Sequence, residues 1–133
     1  MKVKDKVSDQ ELKEVIADFL ERGHADSVFE MFKRELGYYA WVGVILDDER
    51  FAVRLGLSVL FEELKQQCPD DVSLAVPSLC RVLDEAPAHV RGDAVNILGI
   101  IGGEAALKGV RKALNDSSLQ VREVAQDVLE EAE

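Results

Sequence analysis

The sequence predicts an all-α fold, an α-solenoid of stacked antiparallel helix pairs. Three observations lead there. A nine-residue segment recurs three times, apolar residues follow each copy at helical spacing, and the composition lacks strand signals. Of the 133 residues, 47% are hydrophobic, mostly Leu, Val and Ala, and only three are proline. A chain of this length reads as one domain, residues 1–133, with enough apolar surface to fold without disulfides or metal.

The three copies align without gaps: LDDERFAVR at 46–54, LDEAPAHVR at 83–91 and LNDSSLQVR at 114–122. Each has Leu, then Asp or Asn, then an acid, then Val-Arg. Ala94 and Ala125 lie three residues after the arginine, where the first copy has Leu57. Leu98 and Leu129 lie seven after it, where the first has Phe61. The valines Val90 and Val121 are 31 apart, but Val53 and Val90 are 37 apart. The six extra residues fall within 65–73 and read as a longer helix end and loop, where insertions are tolerated.

Each unit reads as two helices. Val90, Ala94, Ile97, Leu98 and Ile101 share one helical face, and Gly102-Gly103 breaks that helix. Glu104 opens a second helix with Leu107, Val110 and Leu114 on one side. Asp116, Ser117 and Ser118 turn the chain and can cap the next helix. The recurrent acids sit where one helix ends and another begins. A ladder is expected of Asp47 or Asp48, Asp84 and Asp116 with Arg54, Arg91 and Arg122, structural in role.

These segments, above all VRGDAVNILGIIGGEAALKGVRKAL at 90–114, resemble the short HEAT-like repeats of the phycobilisome-lyase type. The resemblance covers 39–133 and is closest over 83–114. It implies a HEAT/ARM-like solenoid and says little of function, because unrelated proteins carry such repeats.

Residues 1–38 lack the repeat and read as an irregular helical cap, which solenoid ends require. Ser8 and Glu11 form a capping-box pattern ahead of Leu12, Val15, Ile16, Phe19 and Leu20. Residues 22–24 end that helix. Asp26 is placed to cap a second one carrying Val28, Phe29, Phe32 and Leu36, with Gly37 as its terminator. The next segment, 38–46, is apolar nearly all round. Tyr39, Val42 and Leu46 face the core, while Ala40, Gly43 and Val44 stand where the last repeat has Lys108, Arg111 and Lys112. Such a helix must be covered, by the cap or by a partner peptide.

Catalytic, cofactor-binding and metal-binding residues are not expected. His24 and His89 each adjoin a helix boundary. Di-iron hydroxylases built of such repeats carry His-Glu dipeptides on their first helices, and this sequence has none. Cys68 and Cys80, twelve apart, make no zinc pattern and read as reduced and structural. The net charge of −10 repels phosphate backbones, which argues against nucleic acid. No apolar run approaches a membrane span, and the first ten residues lack a signal-like apolar stretch, so a cytoplasmic protein is expected.

The function expected is a non-catalytic scaffold or adaptor that binds a partner protein or peptide on the solenoid surface. The alternative is an accessory subunit or regulator of an enzyme complex. Tyr38 and Trp41 would supply apolar anchor area. Arg81, Lys108, Arg111 and Lys112 would form a basic strip suited to an acidic peptide. The chain itself would be a monomer or weak homo-oligomer.

Overall fold

Ser8 starts the first helix as its sequence demands. Its hydroxyl accepts the Glu11 amide hydrogen at 3.1 Å, and its own amide donates to the Glu11 carboxylate at 3.0 Å. Helix α1 then runs Asp9–Glu21 and ends at Gly23, whose φ of 83° reverses the chain. The computed structural model describes residues 7–132, and over these it is all-helical. Helix α2 is Ala25–Arg34. A 3-10 segment, Leu36–Trp41, leads into α3, Val42–Leu46. Helix α4 is Phe51–Gln67. A second 3-10 turn, Val72–Ala75, leads into α5, Val76–Glu85. Helices α6, Ala88–Ile101, and α7, Gly103–Lys112, follow. A last 3-10 turn, Ala113–Asn115, precedes α8, Leu119–Ala132.

The helices lie in two rows. In the first row α1 touches α4, α4 touches α6 and α6 touches α8. In the second row α2 touches the 36–41 turn, α3 touches α5 and α5 touches α7. Between the rows, α1 packs on α2, α3 on α4, α5 on α6 and α7 on α8. One apolar cluster runs through all of them, from Ile16 to Ala125.

The aligned segments fold alike. Phe51, Ala88 and Leu119 occupy the same place in the three copies, and each is the first residue of a helix. Val53, Val90 and Val121 are buried, and so are Leu57, Ala94 and Ala125 three residues beyond each arginine. All six belong to the one apolar cluster, and each fully buried large side chain contributes about 2 kcal/mol. The six-residue insertion lengthens α4 to 17 residues, against 14 for α6, and adds the turn at 68–71. Gly102 and Gly103, at φ 69° and 83°, end α6 and begin α7. Lys65 reaches across from α4 to donate to the Ile101 carbonyl at 2.7 Å, a cation at a helix C-terminus.

Three local expectations need correction. Asp26 lies inside the first turn of α2; the residue before the helix is His24, which makes no side-chain cap. Gly37 does not end α2. The helix stops at Arg34, and the Glu35 carboxylate accepts the Gly37 amide at 3.1 Å, starting the 3-10 segment instead. On α7 the buried residues are Ala106, Gly109 and Val110, with Leu107 half-buried beside them, and Ala113 and half-buried Leu114 lie in the 3-10 turn that follows.

The acid–arginine ladder exists with different partners. Each register arginine donates to a carbonyl five or six residues back: Arg54 to Asp48 and Glu49, Arg91 to Ala86, Arg122 to Asp116. Arg91 also grips Asp116 through two bonds of 2.9 and 2.8 Å, linking successive repeats. Arg54 reaches forward too, but its acid is Asp93 on α6, at 2.6 Å, and not Asp84. Asp48 and Asp116 each accept the amide two residues on, from Arg50 and Ser118. The equivalent amide in the second copy belongs to Pro87 and has no hydrogen, so an acid there has no turn to make.

Candidate interaction surface

The second row carries the surface on which the sequence placed its basic strip. Residues six and two before each register leucine share an outward face: Ala40 and Val44 on the first copy, Pro77 and Arg81 on the second, Lys108 and Lys112 on the third. All six are exposed. The face therefore changes along the row from apolar to cationic.

Two grooves cut it. Between α5 and α7 lies one of about 440 Å³ with Arg81, Lys108 and Lys112 on its walls and Leu83, Ala105 and Gly109 among its apolar lining. Asp84 and Asp116 also line it, but Asp116 is already held by Arg91. That bond holds the Asp116 carboxyl below the usual carboxylate range. Between α3 and α5 lies a smaller groove of about 250 Å³, where Val44 and Arg81 face Asp47 and Glu85. Arg81 is common to both. Positive charge is thus concentrated at the α5–α7 groove. Arg111 is exposed on α7 but does not line it.

The grooves owe their form to close approach in the second row. Gly43 and Cys80 stand three before their register leucines; Ser78 and Gly109 stand five before theirs. Gly43 lies so near the Ser78 backbone that any Cβ would collide with the carbonyl group. Its amide donates to the Ser78 hydroxyl at 2.8 Å, which explains a buried serine. One repeat later Cys80 lies against Gly109, where an added Cβ would meet the sulfur at 3.2 Å and Leu98 Cδ1 at 3.3 Å. Burial pushes the Cys80 thiol up, and neighbouring Lys112 partly offsets this. Both cysteines are free thiols and half-buried.

Tyr38 and Trp41 lie elsewhere. Their rings stack on each other at 5.0 Å, Tyr38 packs on Phe32 at 5.9 Å, and the Lys13 ammonium of α1 sits 5.2 Å from the Trp41 ring. Trp41 occupies the register of Ser78 and Gly109, the place that faces the preceding unit. Here that unit is the cap, and the indole stands between Tyr38 and the Lys13 ammonium. Beneath it Tyr39 is buried edge-on to Phe32 and Phe61. Burial, with Cys68 and Asp71 nearby, pushes its hydroxyl up to about 12. The six expected contact residues therefore separate into an aromatic pair at the cap and a basic group on α5 and α7.

Arg50 joins the cap to the first repeat, and the sequence did not single it out. It grips Asp48 through two bonds and reaches Asp18 and Glu21 of α1 at 3.0 and 2.9 Å. The only signal for it was an arginine where the later copies have Pro87 and Ser118.

Among the described residues no helix is long and apolar enough to cross a membrane, and no group of three His, Cys, Asp or Glu side chains is placed to hold a metal. Comparison with protein-family models, with curated proteins and with solved structures finds no match.

Proposed function

We propose that the chain is a short HEAT-like solenoid acting as a non-catalytic interaction module in the cytoplasm. In this reading the α5–α7 groove receives an acidic segment of a partner protein. The repeat assignment is supported by three aligned segments whose helices start at one register and whose arginines make the same backward bond to the preceding loop. The function rests on one observation above all. In a chain of net charge −10, Arg81, Lys108 and Lys112 converge on one groove with apolar lining. Cations gathered against the sign of the whole molecule select a partner by charge, and the apolar walls give it area to bury. Arg111 extends the strip on α7. Tyr38 and Trp41 are engaged with the cap, and the reading does not need them.

The test is a fluorescence titration with a labelled peptide of Glu and Leu. Binding that weakens with added salt is expected. The combined change Lys108→Glu, Arg111→Glu and Lys112→Glu should weaken it at least about tenfold, the scale of one or two lost charge-assisted contacts. Unchanged affinity in that variant would sink the assignment.

A further inference from the structure

A second surface, of opposite character, lies on α4 and α2. Phe51, Leu55 and Val59 are spaced by four, so they form one stripe along α4. They are 64%, 51% and 52% exposed, although α4 already buries Val53, Leu57, Leu60, Phe61 and Leu64 on its other side. The helix thus has two apolar stripes, and only one is used by the core. The outer stripe is about 12 Å long at 1.5 Å per residue, which matches two turns of a docked helix.

At Val59 the stripe runs into a groove of about 390 Å³ between α2 and α4. Its lining includes Ala25, Phe29 and Leu60, and its charged residues are Asp26, Glu30 and Glu63. Among the described residues, Lys33 pairs with Glu30 and lies over the Phe29 ring, and Arg54, beside the Phe51 ring, is bonded to Asp93. The face is therefore apolar along its axis and acidic at its edge.

We propose that this face docks a cationic amphipathic helix of a partner protein. Apolar side chains of the partner would cover Leu55, Val59 and Phe29, while Lys or Arg beside them met Asp26 and Glu63. Charge decides against the other occupants. A second copy meeting face to face would set these acids against their own counterparts, in a chain already at −10. An anionic membrane surface would be repelled for the same reason. The face shares no lining residue with the α5–α7 groove, so the two assignments stand or fall separately.

The experiment is fluorescence anisotropy with a synthetic Leu/Lys amphipathic helix of about five turns. The control is a peptide of equal charge with Ser in place of Leu. The full chain should bind the Leu/Lys helix at least about tenfold more tightly than the control, since only the former buries apolar area. Leu55→Ser with Val59→Ser should remove most of that preference. Glu63→Lys, an exposed change that leaves the apolar stripe intact, should weaken binding independently. The Lys108, Arg111 and Lys112 reversal should not weaken it. No binding, equal binding of the two peptides, unchanged binding by both α4 variants, or a dimer that Leu55→Ser with Val59→Ser dissolves would overturn the proposal.

Discussion

Between α3 and α5, Gly43 rests on the backbone of Ser78; between α5 and α7, Cys80 rests on Gly109. The two seams occupy one register, yet the small residue has changed sides. In the first seam the neighbour of the glycine is a carbonyl group, and an amide–hydroxyl bond fastens the contact. In the second the neighbours are a thiol and a leucine methyl, which can shift. The first-row bonds differ in the opposite sense. Arg54 meets Asp93 through one short bond, whereas Arg91 meets Asp116 through two, and Asp116 also organises the turn before α8. What recurs is the closeness of approach; the chemistry that achieves it is local.

The contrast can be broken by substitution. The largest effect is expected from Gly43→Ala, whose methyl meets fixed backbone, at about 3 kcal/mol of unfolding free energy in urea titration. A loss under about 1 kcal/mol would show that the seam can yield. Arg91→Ala should cost about 2 kcal/mol, because it leaves Asp116 and the Ala86 carbonyl without their donor.

That bond also carries a pH signature. The Asp116 carboxyl titrates below its ordinary value of 3.8 in the folded chain, so its stabilisation is complete above the unfolded pKa. It is lost as pH falls from there through the lower folded value. Asp48, held down by Arg50, acts in the same direction. Asp116→Asn should flatten stability against pH below about 5 relative to the parent, by thermal melts in a pH series. An unaltered acid limb would remove the pair from the account.

Ser78→Ala deprives the buried Gly43 amide of its acceptor and should cost about 1.5 kcal/mol. The smallest effect sharpens the comparison most. Gly109→Ala gains about 1 kcal/mol of helix propensity and meets only side chains, so a net change within about 0.5 kcal/mol is expected. Equal losses for Gly43→Ala and Gly109→Ala would erase the distinction between the seams.

The sequence showed where the helices of the first row begin, because the Val-Arg register is tied to a physical need. The valine must be buried, and the arginine must reach the preceding loop. It also showed the cationic positions on α5 and α7, since their spacing from the register leucine sets their face. It did not show the partner of Arg54, because Asp93 lies on α6, outside the recurrent segment. The 3-10 turns at 36–41 and 72–75 were hidden, as their residues also fit α-helical spacing. Trp41, expected as an anchor, stands in the register of Ser78 and Gly109 and packs with Tyr38 and Lys13, contacts that lie outside the recurrent segment. The outer stripe of Phe51, Leu55 and Val59 was legible as a second set of apolar residues at spacing four, but burial of either stripe would have satisfied the pattern.

A row of packed helices is also a spring, and its stiffness is set at the seams. Opening the α3–α5 seam breaks a buried hydrogen bond and separates backbone from backbone. At the α5–α7 seam a sulfur and a methyl lie against a glycine, and the Arg91–Asp116 pair ties the same two units together. The two junctions thus resist opening by different means, a buried hydrogen bond and backbone contact at the first and a bidentate ion pair at the second.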